Sequence, residues 1–269
     1  MTVNIDELEW PNEPRRDVKE NEYPISASAT KTYQRCPEDF RLKYIEDKEG
    51  TKGSSDYAAL GSAIHEIIEQ TLQENPELQD KPNQLKEIFL GRYRERDLSF
   101  EDAREDLEDV GLSCLNVAAR YIAQREINEL RGIEQEFEFG LKRPDINHGF
   151  KGIMDVATGR EIWDWKTGKN AEEKDEIIQG MIYAMGYYDE FGEVPQKIRF
   201  VYLRKETERA LDPSDENWQK CLDYVREVVE AKEYDHYPPN PGSNCYWCGR
   251  EGWCDASPVG TGGISWEMF

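Results

Sequence analysis

Apolar positions recur at helical spacing through residues 57–72, where Leu60, Ile64, Ile67, Ile68 and Leu72 make one stripe. Two more helices are predicted over 84–97 and 101–130, the second acidic at its start, where a helix N-terminus favours negative charge. Ahead of them, Ser26 and Ser28 offer N-caps for a short helix reaching Cys36. Pro37 interrupts it, and 38–47 continues as a second helical piece. Near residue 133 the period falls to two. Segments 133–141, 149–159 and 160–168 read as strands, with hairpin-like breaks at 147–149 and 158–160. A helix over 171–190, a fourth strand over 196–206 and a closing helix over 214–235 follow. That order predicts an α/β fold with a mixed sheet flanked by helices. It divides into a helical part (25–131), an α/β core (132–235) and a Pro/Gly-rich loop (236–255), between an acidic flexible tail (1–24) and a C-terminal tail (256–269).

Hydrophobic residues make up 38% and aromatics 11% of the 269 residues, enough for a packed core. No apolar run approaches the roughly 18 residues of a membrane span. The N-terminal segment is acidic, broken by Pro and without an apolar stretch, so it does not read as a secretory signal. The expected compartment is the cytoplasm, or a host cytoplasm for a viral chain. Trp10 lies in the tail and reads as loosely held. A net charge of −22 weighs against a nucleic-acid partner, since phosphate contacts normally leave a basic footprint. Net charge governs solubility and non-specific binding, however, and a local basic channel inside an acidic shell stays compatible with it.

The densest chemical signal is Gly152 and Asp155 on one strand, followed by Asp164 and Lys166 on the next. Strand parity turns Ile162, Asp164 and Lys166 to one face and Trp163 and Trp165 to the other. Asp155 and Asp164 are hard oxygen ligands suited to Mg2+ or Mn2+. Lys166 beside them can orient an attacking water or meet charge on a phosphate. An Asp–Lys pair two apart on a strand is also a common surface pair worth little. Ahead of these, alternation leaves Glu134, Glu136 and Glu138 on one face. Glu136 is the candidate supporting acid, with a solvated face as the plainer reading.

The ordered set GFKGIMD, EIWDWKTGK and QGMIY resembles the RecB-type nucleases of the PD-(D/E)XK superfamily, including the AddB nuclease domain and the CRISPR-adaptation nucleases. Gln179 and Tyr183 match the family's Q-x-x-x-Y element and share a helix face. Gly61 and His65, in LGSAIHEIIE, resemble its earlier G-x-x-x-H element. The resemblance implies a restriction-endonuclease-like fold and a metal site of His65, Asp155 and Asp164. It also implies catalysis by Lys166, Asp164 and Asp155, and a DNA-binding cleft lined by Gln179 and Tyr183.

Six cysteines are present. Cys245, Cys248 and Cys254 cluster in the final loop, and Cys36 lies far upstream, so the chain ends should meet. Four thiolates suit either a 4Fe–4S cluster or tetrahedral zinc, and spacing does not choose between them. The resemblance favours iron, because TYQRCPEDF also resembles the segment around the first cysteine of the family's iron–sulfur branch. The cluster would then be a structural staple. Cys114 and Cys221 read as buried small hydrophobes.

Arg35, Arg41, Lys43, Lys142, Arg143, Lys151, Arg160, Lys169, Arg199, Arg204 and Lys205 are candidates for a positive channel, and Tyr183, Tyr187 and Tyr188 for base stacking. The expected activity is a Mg2+- or Mn2+-dependent DNA exonuclease acting on single-stranded ends, in recombination, end processing or CRISPR-type adaptation. A protein partner or homo-oligomer is compatible with this. The rival is a non-cutting iron–sulfur DNA-binding or assembly subunit, which a lost metal ligand or lysine would mark, and none is lost.

Overall fold

The computed structural model describes residues 24–50, 55–96, 98, 100, 106–124, 129–142, 146–168 and 173–257. The acidic tail with Trp10, the C-terminal tail beyond 257, Arg143, Lys169 and the side chain of Lys142 lie outside them. Five strands form one mixed sheet in sequence order: β1 (Leu130–Lys142), β2 (Asn147–Thr158), β3 (Glu161–Lys166), β4 (Lys197–Tyr202) and β5 (Thr207–Leu211). The β3–β4 pair is parallel, as a helical crossover requires, and the other neighbours are antiparallel.

Three boundaries differ from the sequence pattern. β1 begins at Leu130, inside the expected helix, after Glu129 takes a left-handed φ of 60° that no helix continues through. β2 includes Asn147 to Gly149, read as a hairpin break. β5 was not expected at all. Its residues are half-buried or exposed at the sheet's edge, so they carry no apolar alternation.

Helices cover both faces. On one face, α6 (Glu173–Phe191) and α7 (Asp215–Tyr234) pack with Phe150, Met154, Ile162 and Phe200. On the other, α3 (Asp56–Glu74), α4 (Pro82–Arg94) and α5 (Leu107–Gln124) bury the stripe Leu60, Ile64, Ile67, Ile68 and Leu72 against Trp163, Trp165 and Val201. The expected helical part 25–131 is therefore split between faces. Its leading helix α1 (Ala27–Arg35) joins α6 and α7. The cause is local: Ile25 extends the sheet, donating its N–H to the Gly149 carbonyl (2.8 Å) and accepting from Lys151 (3.0 Å). Ser26 then caps α1 through Ala29 N–H at 3.1 Å. After Pro37 the chain makes α2 (Pro37–Phe40) and one wide turn, Arg41–Ile45. No helix among the described residues is long and apolar enough to cross a membrane.

Glycines set the spacing of the first face. Phe137 on β1 lies between Gly152 on β2 and Gly186 on α6. A Cβ at Gly152 would sit 2.5 Å from Phe137 Cζ, and one at Gly186 would collide with the ring. Gly186→Ala should cost about 1–3 kcal/mol by overpacking. In urea unfolding, the cost should shrink when Phe137→Ala is combined with it, because the two changes share one space.

Candidate active site

The site forms where β2 and β3 part. Their ladder pairs Val156 with Trp163 and Ala157 with Ile162, and goes no further. Beyond it, the Asp155 carboxylate replaces a backbone acceptor and takes the Trp165 N–H at 2.7 Å. Alternation breaks at the same place, since Met154 belongs to the α6 side and Val156 to the α3 side. On β1, Ile133 packs on the α3 side and Phe137 on the α6 side, and between them Glu134 has a left-handed φ of 47°. That residue turns its carboxylate toward Asp155.

Helix α3 closes the site from above. A Cβ at Gly61 would lie 2.9 Å from Thr167 Oγ1, so glycine lets the helix pass close to the end of β3. One turn later, His65 Nδ1 lies 3.4 Å from Asp155 Oδ2. Ligand atoms of His65, Glu134 and Asp155 lie within 4.8 Å of one another. His65 and Glu134 face an open cleft of about 480 Å³, whose walls include Tyr57, Gly61, Ser62 and Thr167, and Asp155 is buried behind them. Glu134 thus occupies the place for which Glu136 was the candidate, while Glu136 is exposed. Uniform strand parity could not separate the two.

Asp164 is buried beside this group. Its Oδ1 accepts from Gln179 Nε2 at 2.6 Å. Its Oδ2 lies 2.5 Å from Lys166 Nζ but receives no aligned hydrogen bond, leaving lone-pair capacity in a buried place. Gln179 is the hub. Its Nε2 also donates to Tyr183 Oη at 2.8 Å, and its Oε1 accepts from Lys166 Nζ (2.8 Å) and Lys31 Nζ (2.7 Å). Both polar ends of Gln179 are thereby used inside the protein. Lys31 escaped the sequence reading. Its one signal was position, four residues after the buried Ala27 on the inward face of α1.

The carboxylates here crowd one another. Burial, then Asp155, push the Glu134 carboxyl up to about 7. Burial likewise raises Asp164, against the pull of Lys166. Burial opposes charging of His65, but the Asp155 charge and hydrogen bond, with Asp164 and Glu134, carry it up to about 9. Carboxylates plus an imidazole, crowded and partly desolvated, are a donor set that fits a hard divalent cation.

A second assembly lies at the chain ends. Cys36, Cys245, Cys248 and Cys254 line one cavity, with Asp39 and Asn240. Asn240 N–H points at Cys36 Sγ (3.4 Å), and Gly242 N–H at Cys245 Sγ (3.5 Å). Arg250 bridges the Lys48 carbonyl and Asp39 at 3.0 Å each. Cys114 and Cys221 are buried elsewhere, and burial pushes their thiols up to about 11 and about 12.

Three of the residues named for a basic channel are paired with carboxylates. Arg35 pairs with Asp39, Arg41 with Glu38 and Glu46, and Arg199 with Glu161 and Glu208. Tyr187 is core: fully buried, it donates to the Thr158 carbonyl at 2.6 Å.

The family model described as the PD-(D/E)XK nuclease superfamily matches residues 24–255. Among solved structures, a candidate exonuclease from Eubacterium rectale aligns with TM-score 0.49 and 14% identity, over 82% of this chain and 85% of that one. The structure of SSO0001 aligns with TM-score 0.37 and 11% identity, over 85% of this chain and 94% of that one. No curated protein gives a significant match.

Two outcomes test the ligand set. Glu134→Gln should weaken Mn2+ binding by roughly 10-fold or more, and Glu136→Gln should leave it unchanged, by titration calorimetry. Protons on Glu134 and His65 compete with the metal. Affinity should therefore rise as pH passes from below about 7 toward about 9, with proton release visible as buffer-dependent heat.

Proposed function

This chain belongs to the PD-(D/E)XK nuclease superfamily, and from that membership we propose that it hydrolyses phosphodiester bonds in DNA, using Mg2+ or Mn2+ held by His65, Asp155, Glu134 and Asp164. The observation that carries the reading is the meeting of the His65, Glu134 and Asp155 ligand atoms within 4.8 Å, beside the Asp164–Lys166 pair. Those residues come from four separate elements, which a fortuitous acidic patch does not require.

A divalent ion bound there supplies an activated water and neutralises charge on the phosphate. The chain's own residues do the rest. Asp155 is fixed by the Trp165 N–H, so its second oxygen keeps one direction. Lys166 stays beside Asp164 through Gln179 and presents its remaining N–H donors to the attacked phosphate or to the incoming water. Gln179 and Tyr183 were expected to line the DNA cleft. Their mutual bond and burial favour a positioning role, in which Tyr183 braces Gln179 and Gln179 sets Asp164 and both lysines. Tyr57, 40% exposed on the cleft wall, offers a face for an unpaired base and supports a preference for single-stranded ends. The exonucleolytic reading rests on the RecB-type resemblance.

The four cysteines are proposed to hold a 4Fe–4S cluster as a staple. The four cysteines line one cavity, which supports a single group held between them. The choice of iron over zinc rests on the RecB-type resemblance.

Anaerobically purified protein should shorten end-labelled DNA when Mg2+ or Mn2+ is added and stop on chelation. Lys166→Ala should lower the rate by roughly 100-fold or more, with metal binding retained. Intact substrates with both proteins, at full metal occupancy, would remove the catalytic reading. The same preparation should be brown with absorbance near about 400 nm, and Cys248→Ser should lose the colour and unfold at lower temperature. A colourless wild-type protein with stoichiometric zinc would replace iron by zinc.

A further inference from the structure

We infer that Lys31 is a phosphate-binding residue, gripping a phosphate of the bound strand beside Lys166. This rests on the nuclease reading above for the identity of the ligand, though not for the existence of an anion site. Lys31 reaches the site from α1, outside the segments that hold the metal ligands and Lys166. Its Nζ donates to Gln179 Oε1 at 2.7 Å, the same oxygen that accepts from Lys166 at 2.8 Å.

An ammonium has three donors and no acceptor, so one amide oxygen leaves two donors of Lys31 unused. Two ammonium groups on one neutral oxygen repel each other. Lys166 is compensated by Asp164 at 2.5 Å. Among the described residues Lys31 has no carboxylate at ion-pair distance. Asp175, Asp164 and Glu176 act on it only from farther off; Asp164 is paired with Lys166, and Glu176 is held by Arg209 at 2.9 Å. Burial, then the Lys166 charge, hold the Lys31 ammonium down to about 8.

A half-buried cation with spare donors and no anion is costly until an anion arrives. The arginines around it differ. Arg35, on the same helix, is neutralised by Asp39 at 2.6 Å. The anion a nuclease brings to this place is a phosphate of its substrate. Lys31 would then act as a point charge on that group, Lys166 on its neighbour or on the same one, and Gln179 would keep the two apart at fixed spacing.

The test compares wild type, Lys31→Met and Lys31→Arg. Inorganic phosphate binding is measured by calorimetry, and binding of a single-stranded oligonucleotide by fluorescence anisotropy in EDTA over a range of salt. Wild type should bind phosphate, Lys31→Met about 10-fold or more weaker, and Lys31→Arg close to wild type. The slope of log affinity against log salt should flatten in Lys31→Met by about 0.7, the contribution of one phosphate on a single strand. A purely positioning lysine would lower kcat in Lys31→Met while phosphate affinity and salt slope stayed at wild-type values, and that result overturns the proposal. So does a wild-type protein that cuts DNA but binds no phosphate. A protein that binds phosphate through Lys31 yet never cuts DNA would instead retain this site and remove the nuclease reading.

Discussion

The bond from the Trp165 N–H to the Asp155 carboxylate is the constraint on which the rest of the site depends. In an unbroken antiparallel pair that N–H would face a carbonyl of β2, and the sheet would be closed. Here a side chain takes the carbonyl's place at 2.7 Å, so β2 can leave β3 without stranding a buried donor. A hydrogen bond to a charged acceptor is worth about 1.5–3 kcal/mol, enough to hold a local departure from sheet geometry. β3 keeps its other edge intact, pairing with β4 as far as Lys166 and Tyr202. One strand is therefore rigid on one side and open on the other. Asp164 and Lys166 stand at that opening.

The surrounding layers fit this wedge. Three glycines, Gly61, Gly152 and Gly186, stand where helix or strand must come closer than a Cβ permits. The site draws on α1, α3, β1, β2, β3 and α6, so it is assembled by long-range packing rather than by one loop. Fastening the chain ends matters for the same reason. The cysteine cavity joins the α1–α2 junction to the final loop, with Asn240 Nδ2 donating to the Arg35 carbonyl at 3.0 Å. Helix α1, which carries Lys31 into the site, is thus held at both ends: by Ile25 on the sheet and by Cys36 at the cysteine cavity.

How much of this could be read in the sequence follows from where regular geometry holds. Asp164 and Lys166 share a face by the parity of a straight strand, and Trp163 and Trp165 pack into the core on the opposite face. The stripe on α3 placed His65 because helical period carried through without interruption. Glu134 was hidden because its positive φ breaks the parity that would otherwise leave it on one face with Glu136 and Glu138. β5 was hidden because an edge strand facing solvent has no apolar period. Lys31 was hidden because a lysine on a short helix looks like a solvated charge. Its partner is 148 residues away, and only the docking of α1 on α6 brings them together. Three arginines named for a basic channel illustrate the converse. Charge in a sequence does not say which carboxylate will neutralise it, and Arg35, Arg41 and Arg199 all found one.

That pairing also bears on the net charge of −22, which weighed against a polyanionic partner. At physiological salt the field of an exposed charge decays over about 8 Å, so acids beyond that distance add little at the cleft. Near it, Glu66 on the rim is matched by Arg96 at 2.6 Å. The remaining local excess is Glu134, Asp155 and Asp164, with Glu69 on the cleft wall, and a divalent cation would neutralise part of it. With the metal in place, Lys31 and Lys166 would be left as positive groups beside Gln179 and Asp164. The protein can then be acidic at long range and cationic at the point of contact. Affinity for a strand would come from the built site rather than from the overall field.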